Sequence, residues 1–313
     1  MPAFATHYIF LDEMTKIIEE NADFRFDVRT AGIGTQGPDI FFFHRLIPPF
    51  TIWKTLAGTS GKLHRAKPAE LFEAFSQYLT FSPNRDIAKS YIYGFLLHYA
   101  LDRNCHPFVY AYQNKELAQT KHLHKLAAHN RVEHALDTYL LATRMNITPP
   151  SDFDPAATFS NDPAVLEEVS HLLSFVIEKC VGKKIEDKEI ARAITDTAKV
   201  QTILSDRKGN ATRLAHLLEV PTGPLTGYFK LSASIKPKDL AFAKKYANID
   251  GEVWESPFDG SRHRESFDRL FDRSKPDAAR LLDGFEDICR GRTDGYHVTG
   301  NISFLTGLEV TDE

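Results

Sequence analysis

Apolar residues recur every three to four positions along most of the chain, and that period, rather than the alternation of a strand, sets the expected architecture. Ile9, Phe10, Met14, Ile17 and Ile18 predict a first helix over about Thr6 to Asn21, with Thr6 or Asp12 placed to cap it. Leu71, Phe72, Phe75 and Leu79 form the stripe of another, from Pro68 to Leu79. The stretch from Asp86 to Cys105 differs: Tyr91, Phe95, Leu96, Leu97, Tyr99 and Leu101 make it apolar on nearly every side, the pattern of a helix buried in a protein interior. Pro107 disfavours helical geometry at His106, so this helix is expected to end there and open into a pocket.

A further helix is expected over Lys115 to Met145, where His122, Leu126, His129 and Glu133 share a face that Leu136 and Leu140 continue as packing. Helical periodicity returns in Ala164–Cys180, Asp187–Ile203, Asn210–Leu218, Pro237–Tyr246 and Ser266–Gly291. Between helices, Ala31 to Asp39 reads as a glycine-rich turn delivering Asp39 beside Ile40-Phe41-Phe42-Phe43, whose aromatics are read as core. Gly58 to Lys62 reads as a second glycine-bearing loop, and Asn248 to Arg264 as polar and irregular. Neither glycine segment has the spacing or the strand-turn-helix setting of a dinucleotide or phosphate-binding loop. With no strand series and no repeat, the fold class is all-α: a multi-helical bundle with additional C-terminal helices. Thr148 to Asp162, which carries Pro149, Pro150 and Pro155, is the expected boundary between a metal-binding region, 1–147, and a helical region, 148–313, packed on it.

Composition narrows the function more than the fold. A formal net charge of -4 and a pI near 6.4 supply no basic footprint, so stable nucleic-acid binding is not expected. Cys105, Cys180 and Cys289 form no close pair, which argues against a disulfide framework or a thiolate zinc site. No leader-like start and no membrane-length apolar run stand out, so cytoplasmic residence is expected. Histidine is the outlier: of 13, all but His171, His216, His263 and His297 lie before residue 140.

In a helix, His98, Asp102 and His106 fall on one face, a turn apart. A carboxylate buried between imidazoles is costly unless a cation compensates it. His129 and Glu133 add two ligands on the next helix, and five such groups exceed the four that one structural zinc uses. Mixed nitrogen and oxygen ligation suits zinc, with manganese or iron possible.

These residues resemble the zinc-dependent phospholipase C family, an all-helical trinuclear zinc fold more distantly related to the P1-type nucleases. The resemblance rests on an ordered series: Thr6-His7, Gly37-Pro38-Asp39, His64, His98 and Asp102, His106, then His129 and Glu133. It implies one zinc held by Asp39, His64, His98 and Asp102, and a second held by His106, His129 and Glu133. A third would be held by His7 and by Asp102 as a bridge, helped by a free amino terminus. Asp39 takes the role of base, or orients the attacking water. His64 is taken over His44 because it follows the loop. The spacing from Asp102 to His106 is tighter than in secreted members, and only a short arm precedes His7. The resemblance covers about the first 145 residues, and the C-terminal half looks like uncharacterised bacterial members.

The leading expectation is a metal-dependent phosphoric-ester hydrolase using two or three zinc ions on a small phosphoester or phospholipid head group. The alternatives are a non-catalytic helical protein with structural metal and a P1-like nuclease. An HD-type phosphohydrolase is disfavoured because no adjacent His-Asp pair occurs. His122 is held as a reserve ligand, and His44, His124 and His134 are expected at the surface or a pocket rim.

Overall fold

The computed structural model describes residues 4–46, 55–120, 123–213 and 231–310. It is all-α: α1 (Phe4–Asn21), α2 (Val28–Gly34), a 3-10 helix (Gly37–Phe43), α3 (Ala57–Leu63), α4 (Pro68–Leu79), α5 (Arg85–Gln119), α6 (Lys125–Arg144), α7 (Pro163–Val181), α8 (Asp187–Leu204), α9 (Leu240–Lys244), α10 (Phe267–Cys289) and α11 (Gly295–Thr299). Among the described residues the only strands are β1 (Trp254–Glu255) and β2 (Arg262–His263), a short antiparallel pair with Trp254 opposite His263. They fall in the segment expected to be irregular. The Asn210–Leu218 helix lies partly outside the described residues; 210–213 are helical.

Two compact units divide the chain, each built from three segments. One comprises 10–104, 157–200 and 273–313; the other comprises 1–9, 105–156 and 201–272. One junction, at 156/157, falls inside the proline-bearing segment expected to be a boundary, but the units are interleaved in sequence rather than split into consecutive halves. Helices as long as α5, about 52 Å at 1.5 Å per residue, make such interleaving natural.

In the larger unit the first part of α5 is the core: Tyr91, Phe95, Leu96, Leu97 and Tyr99 are all buried. The glycines expected to make a turn instead let α2 lie against it. A Cβ at Gly34 would stand 2.1 Å from the Tyr91 carbonyl oxygen, and one at Gly94 would stand 2.1 Å from that of Ala31. Glycine was therefore selected by backbone approach at a helix crossing, where it costs only about 1 kcal/mol of helix propensity. Asp27 caps α2 by accepting the Thr30 amide at 2.6 Å. The segment Gly58 to Lys62 is likewise helical, within α3, which packs on the 3-10 helix. Of the three aromatics expected in the core, Phe41 and Phe43 are buried and Phe42 is half-buried.

The smaller unit is organised on the second part of α5 together with α6. Pro107 does not end α5; the helix continues twelve residues further, to Gln119. A proline in a helix interior costs about 3 kcal/mol. Burial of Phe108, Val109 and Tyr112 just beyond it, at about 1.5–3 kcal/mol for each large apolar side chain, outweighs that cost. Phe108 stacks on Tyr112 and meets Trp254 and Phe267 edge-on or tilted, so the hairpin segment supplies part of the packing that holds α5 straight on. The helix expected over Lys115–Met145 is accordingly two, separated before Lys125, where His124 caps α6 by accepting the Leu126 amide.

Candidate metal centres

In the larger unit, the 3-10 helix presents Asp39, the C-terminal residue after α3 presents His64, and α5 presents His98 and Asp102. All four are buried. His98 Nε2 lies 3.1 Å from Asp102 Oδ2 and 3.9 Å from Asp39 Oδ2. His64 Nε2 lies 3.6 Å from Asp39 Oδ1 and 3.7 Å from Asp102 Oδ2. Ligand atoms of Asp39, His64 and His98 all fall within 4.8 Å of one another.

The far side of each ring explains why the near side faces inward. His98 Nδ1 is 3.0 Å from the Thr35 carbonyl oxygen, and His64 Nδ1 is 3.0 Å from that of Ser60. A carbonyl accepts only, so each Nδ1 carries the proton and donates it, leaving each Nε2 with a lone pair directed at the carboxylates. This tethering is the usual support of a metal-bound imidazole. Gly37 takes a left-handed φ of +48°, and a Cβ there would stand 2.5 Å from the His98 ring. Phe304 closes the other side, with its ring centroid 5.6 Å from that of His64 and 6.2 Å from that of His98. Burial alone would lower the His98 pKa, but the facing carboxylate of Asp102, and then Asp39, bring it above the ordinary imidazole value.

In the smaller unit, His106 on α5 faces His129 and Glu133 on α6. Glu133 Oε1 is 3.0 Å from His129 Nε2 and 3.7 Å from His106 Nε2, and the three groups are buried. His129 Nδ1 is 2.9 Å from Gln113 Oε1. Gln113 lies seven residues beyond His106, two turns along the same face of α5. Reading α5 as ending at Pro107 hid it. Tyr110 covers this centre, with ring centroids 4.9 Å from His129 and 5.9 Å from His106. The His129 pKa is lowered, by burial first and against the pull of Glu133. Glu133 is itself held well below the carboxylate range: burial pushes it up, and positive charge around it, His129 foremost, more than offsets that.

Both donor sets fit a divalent ion. Each joins buried carboxylate oxygen to imidazole nitrogen, with the protons of His64, His98 and His129 committed elsewhere, and zinc is at home in such mixed ligation. His7 is buried near the start of α1, and that end of α1 is fixed by Asp137, one turn beyond Glu133 on α6. Asp137 accepts from the Thr6 amide at 2.7 Å, the Thr6 hydroxyl at 2.8 Å and the Ala5 amide at 3.1 Å. Thr6 thus serves the helix start by donating to this carboxylate rather than by capping with its own oxygen. Residues 1–3 and His122 lie outside the described residues.

Two other histidines sit differently from expectation. His44 is fully buried, with Nε2 2.9 Å from Glu189 and Nδ1 accepting the Leu56 amide. Those bonds occupy both nitrogens, which makes it a structural residue. His134 is also buried, where it lines a cavity together with Lys236.

Compared with known proteins, the chain matches a family model described as zinc dependent phospholipase C over residues 6–186. The match runs past the first 145 residues, through α7, a helix that packs on α4. No curated protein and no solved structure matches.

Proposed function

The chain belongs to the zinc-dependent phospholipase C family, and on that premise we propose that it hydrolyses a phosphoric ester with metal-assisted water attack. Asp39, His64, His98 and Asp102 would hold one zinc; His106, His129 and Glu133 would hold a second; His7 is assigned to a third. Zinc bound there supplies a Lewis acid for phosphoryl oxygens and acidifies water. The protein's own part is orientation and proton handling. Thr35 and Ser60 carbonyls and the Gln113 amide oxygen lock the three tethered rings, and Phe304 and Tyr110 narrow access of bulk water to them. Asp39, with the Ser60 hydroxyl 3.5 Å from its Oδ1, takes the proton of the attacking water as the new P–O bond forms and the P–O bond to the alkoxide breaks, and the alkoxide leaves as the alcohol with a proton from solvent.

What supports this reading most is the pair of buried imidazole–carboxylate centres, with the Nδ1 protons of His64, His98 and His129 already committed. The substrate is a small phosphoester or a phospholipid head group. Among the described residues no helix is long and apolar enough to cross a membrane. The test is elemental analysis of the purified full chain beside hydrolysis of bis(p-nitrophenyl) phosphate and of short-chain phosphatidylcholine. Two or three zinc ions per chain with hydrolysis of either ester is expected. A chain that binds one ion or none and stays inactive when zinc is added would overturn the reading.

A further inference from the structure

The smaller unit contains a cavity of about 400 Å3, lined by residues from α6, from 209–213 and from 233–242. Its charge is one-sided: Arg131, Arg213, Lys236 and Lys238 line it, and among the described residues no carboxylate does. Glu116, Asp137 and Asp206 are not among the described lining residues. Glu116 bonds Arg131 at 2.9 Å, Asp137 lies 3.4 Å from Lys236 Nζ, and the side chain of Asp206 is turned to the Ala211 and Thr212 amides. Arg213 and Lys238 stand exposed at the mouth.

His134 lines the same cavity. It is buried, and among the described residues neither ring nitrogen meets a hydrogen-bond partner. A buried imidazole in that condition costs stability unless something in the cavity meets it. Phe242 adds an aromatic wall. Four cations, an unmet N–H donor and an apolar face within one cavity of ligand size are the elements of an anion site that also grips an apolar group.

We propose that this cavity binds a small phosphate-bearing molecule with an apolar portion, without a metal ion and separately from both imidazole–carboxylate centres. The phosphate sits among Arg131, Arg213, Lys236 and Lys238 and accepts from the His134 ring, and the apolar portion lies against Phe242. This inference does not rest on the hydrolytic reading and stands if that reading fails.

The probe is phenylphosphonate, which resists hydrolysis and carries both features, titrated calorimetrically into the metal-loaded full chain. Arg213→Gln together with Lys238→Gln changes two exposed side chains, so folding is unaffected. Loss of two charge-assisted contacts is expected to weaken binding at least about tenfold. The same double variant keeps wild-type metal content and any hydrolytic rate, which separates this cavity from the centres. Benzyl alcohol, which lacks the charge, is expected not to bind. Phenylphosphonate affinity unchanged in the double variant, or equal binding of benzyl alcohol, would overturn the proposal.

Discussion

The two candidate centres use the same side-chain chemistry but anchor it differently. Around Asp39, His64, His98 and Asp102, both rings are tethered to backbone carbonyls, of Thr35 and Ser60, and the ligands come from three separate elements. Around His106, His129 and Glu133, the tether of His129 is a side chain, Gln113, on the same helix as His106. Backbone tethers cannot be removed by substitution, so the first centre is robust to change in its supports and sensitive to change in its packing. The second is the reverse, and the variants below separate the two.

The largest effect is expected from Asp102→Ala, which removes a carboxylate within 4 Å of two imidazoles. Supporting residues alone cost 10–100-fold in metal affinity or activity, so loss of a ligand should lower hydrolysis by more than about 100-fold. Elemental analysis should show the first centre emptied and the second retained; equal loss from both would collapse the distinction. Next, Gln113→Leu should weaken zinc at the second centre alone by about 10–100-fold, read by competition with a chelator. Retained affinity would mean that His129 needs no tether.

Gly37→Ala should act on the first centre alone. Its left-handed backbone and the His98 ring 2.5 Å from any Cβ predict a loss of about 1–3 kcal/mol, seen as a lower melting temperature with unchanged zinc at the second centre. The smallest effect is a difference in pH dependence. His98 binds a proton more readily than an ordinary imidazole and His129 less readily. Protons compete with metal for Nε2, so on acidification the first centre should lose its ion at higher pH than the second. In the metal-free protein the signs oppose. The stabilisation from charged His98 is complete below the unfolded imidazole pKa of about 6.5 and lost as pH rises through the raised folded value. That from neutral His129 is complete above about 6.5 and lost as pH falls towards its lowered folded value. Cobalt spectra recorded across pH would show the order, and simultaneous loss would contradict it.

The ligand series was legible because it rests on helical spacing: His98, Asp102 and His106 share a face whatever surrounds them. What escaped was whatever depended on tertiary contact. Pro107 argued locally for a helix end, and the burial of Phe108 and Tyr112 overrode it, which concealed Gln113. The glycines of 32–37 resembled a turn because a sequence does not show that α2 lies against α5. His44 and His134 looked like surface residues because polarity alone does not report burial. Backbone carbonyls such as that of Thr35 have no sequence signal at all, and Phe304 is one aromatic among 23 phenylalanines, more than 200 positions from the rings it covers.

That separation gives the first centre a timetable. His64 and His98 leave the ribosome long before Phe304, and at roughly 5–20 residues per second the interval is on the order of 10–40 s. Through that interval the imidazoles lack the aromatic wall that closes over them. An ion can therefore meet these imidazoles during synthesis before the aromatic wall narrows access to them, and the cell's free metal in those seconds helps to decide which ion arrives first.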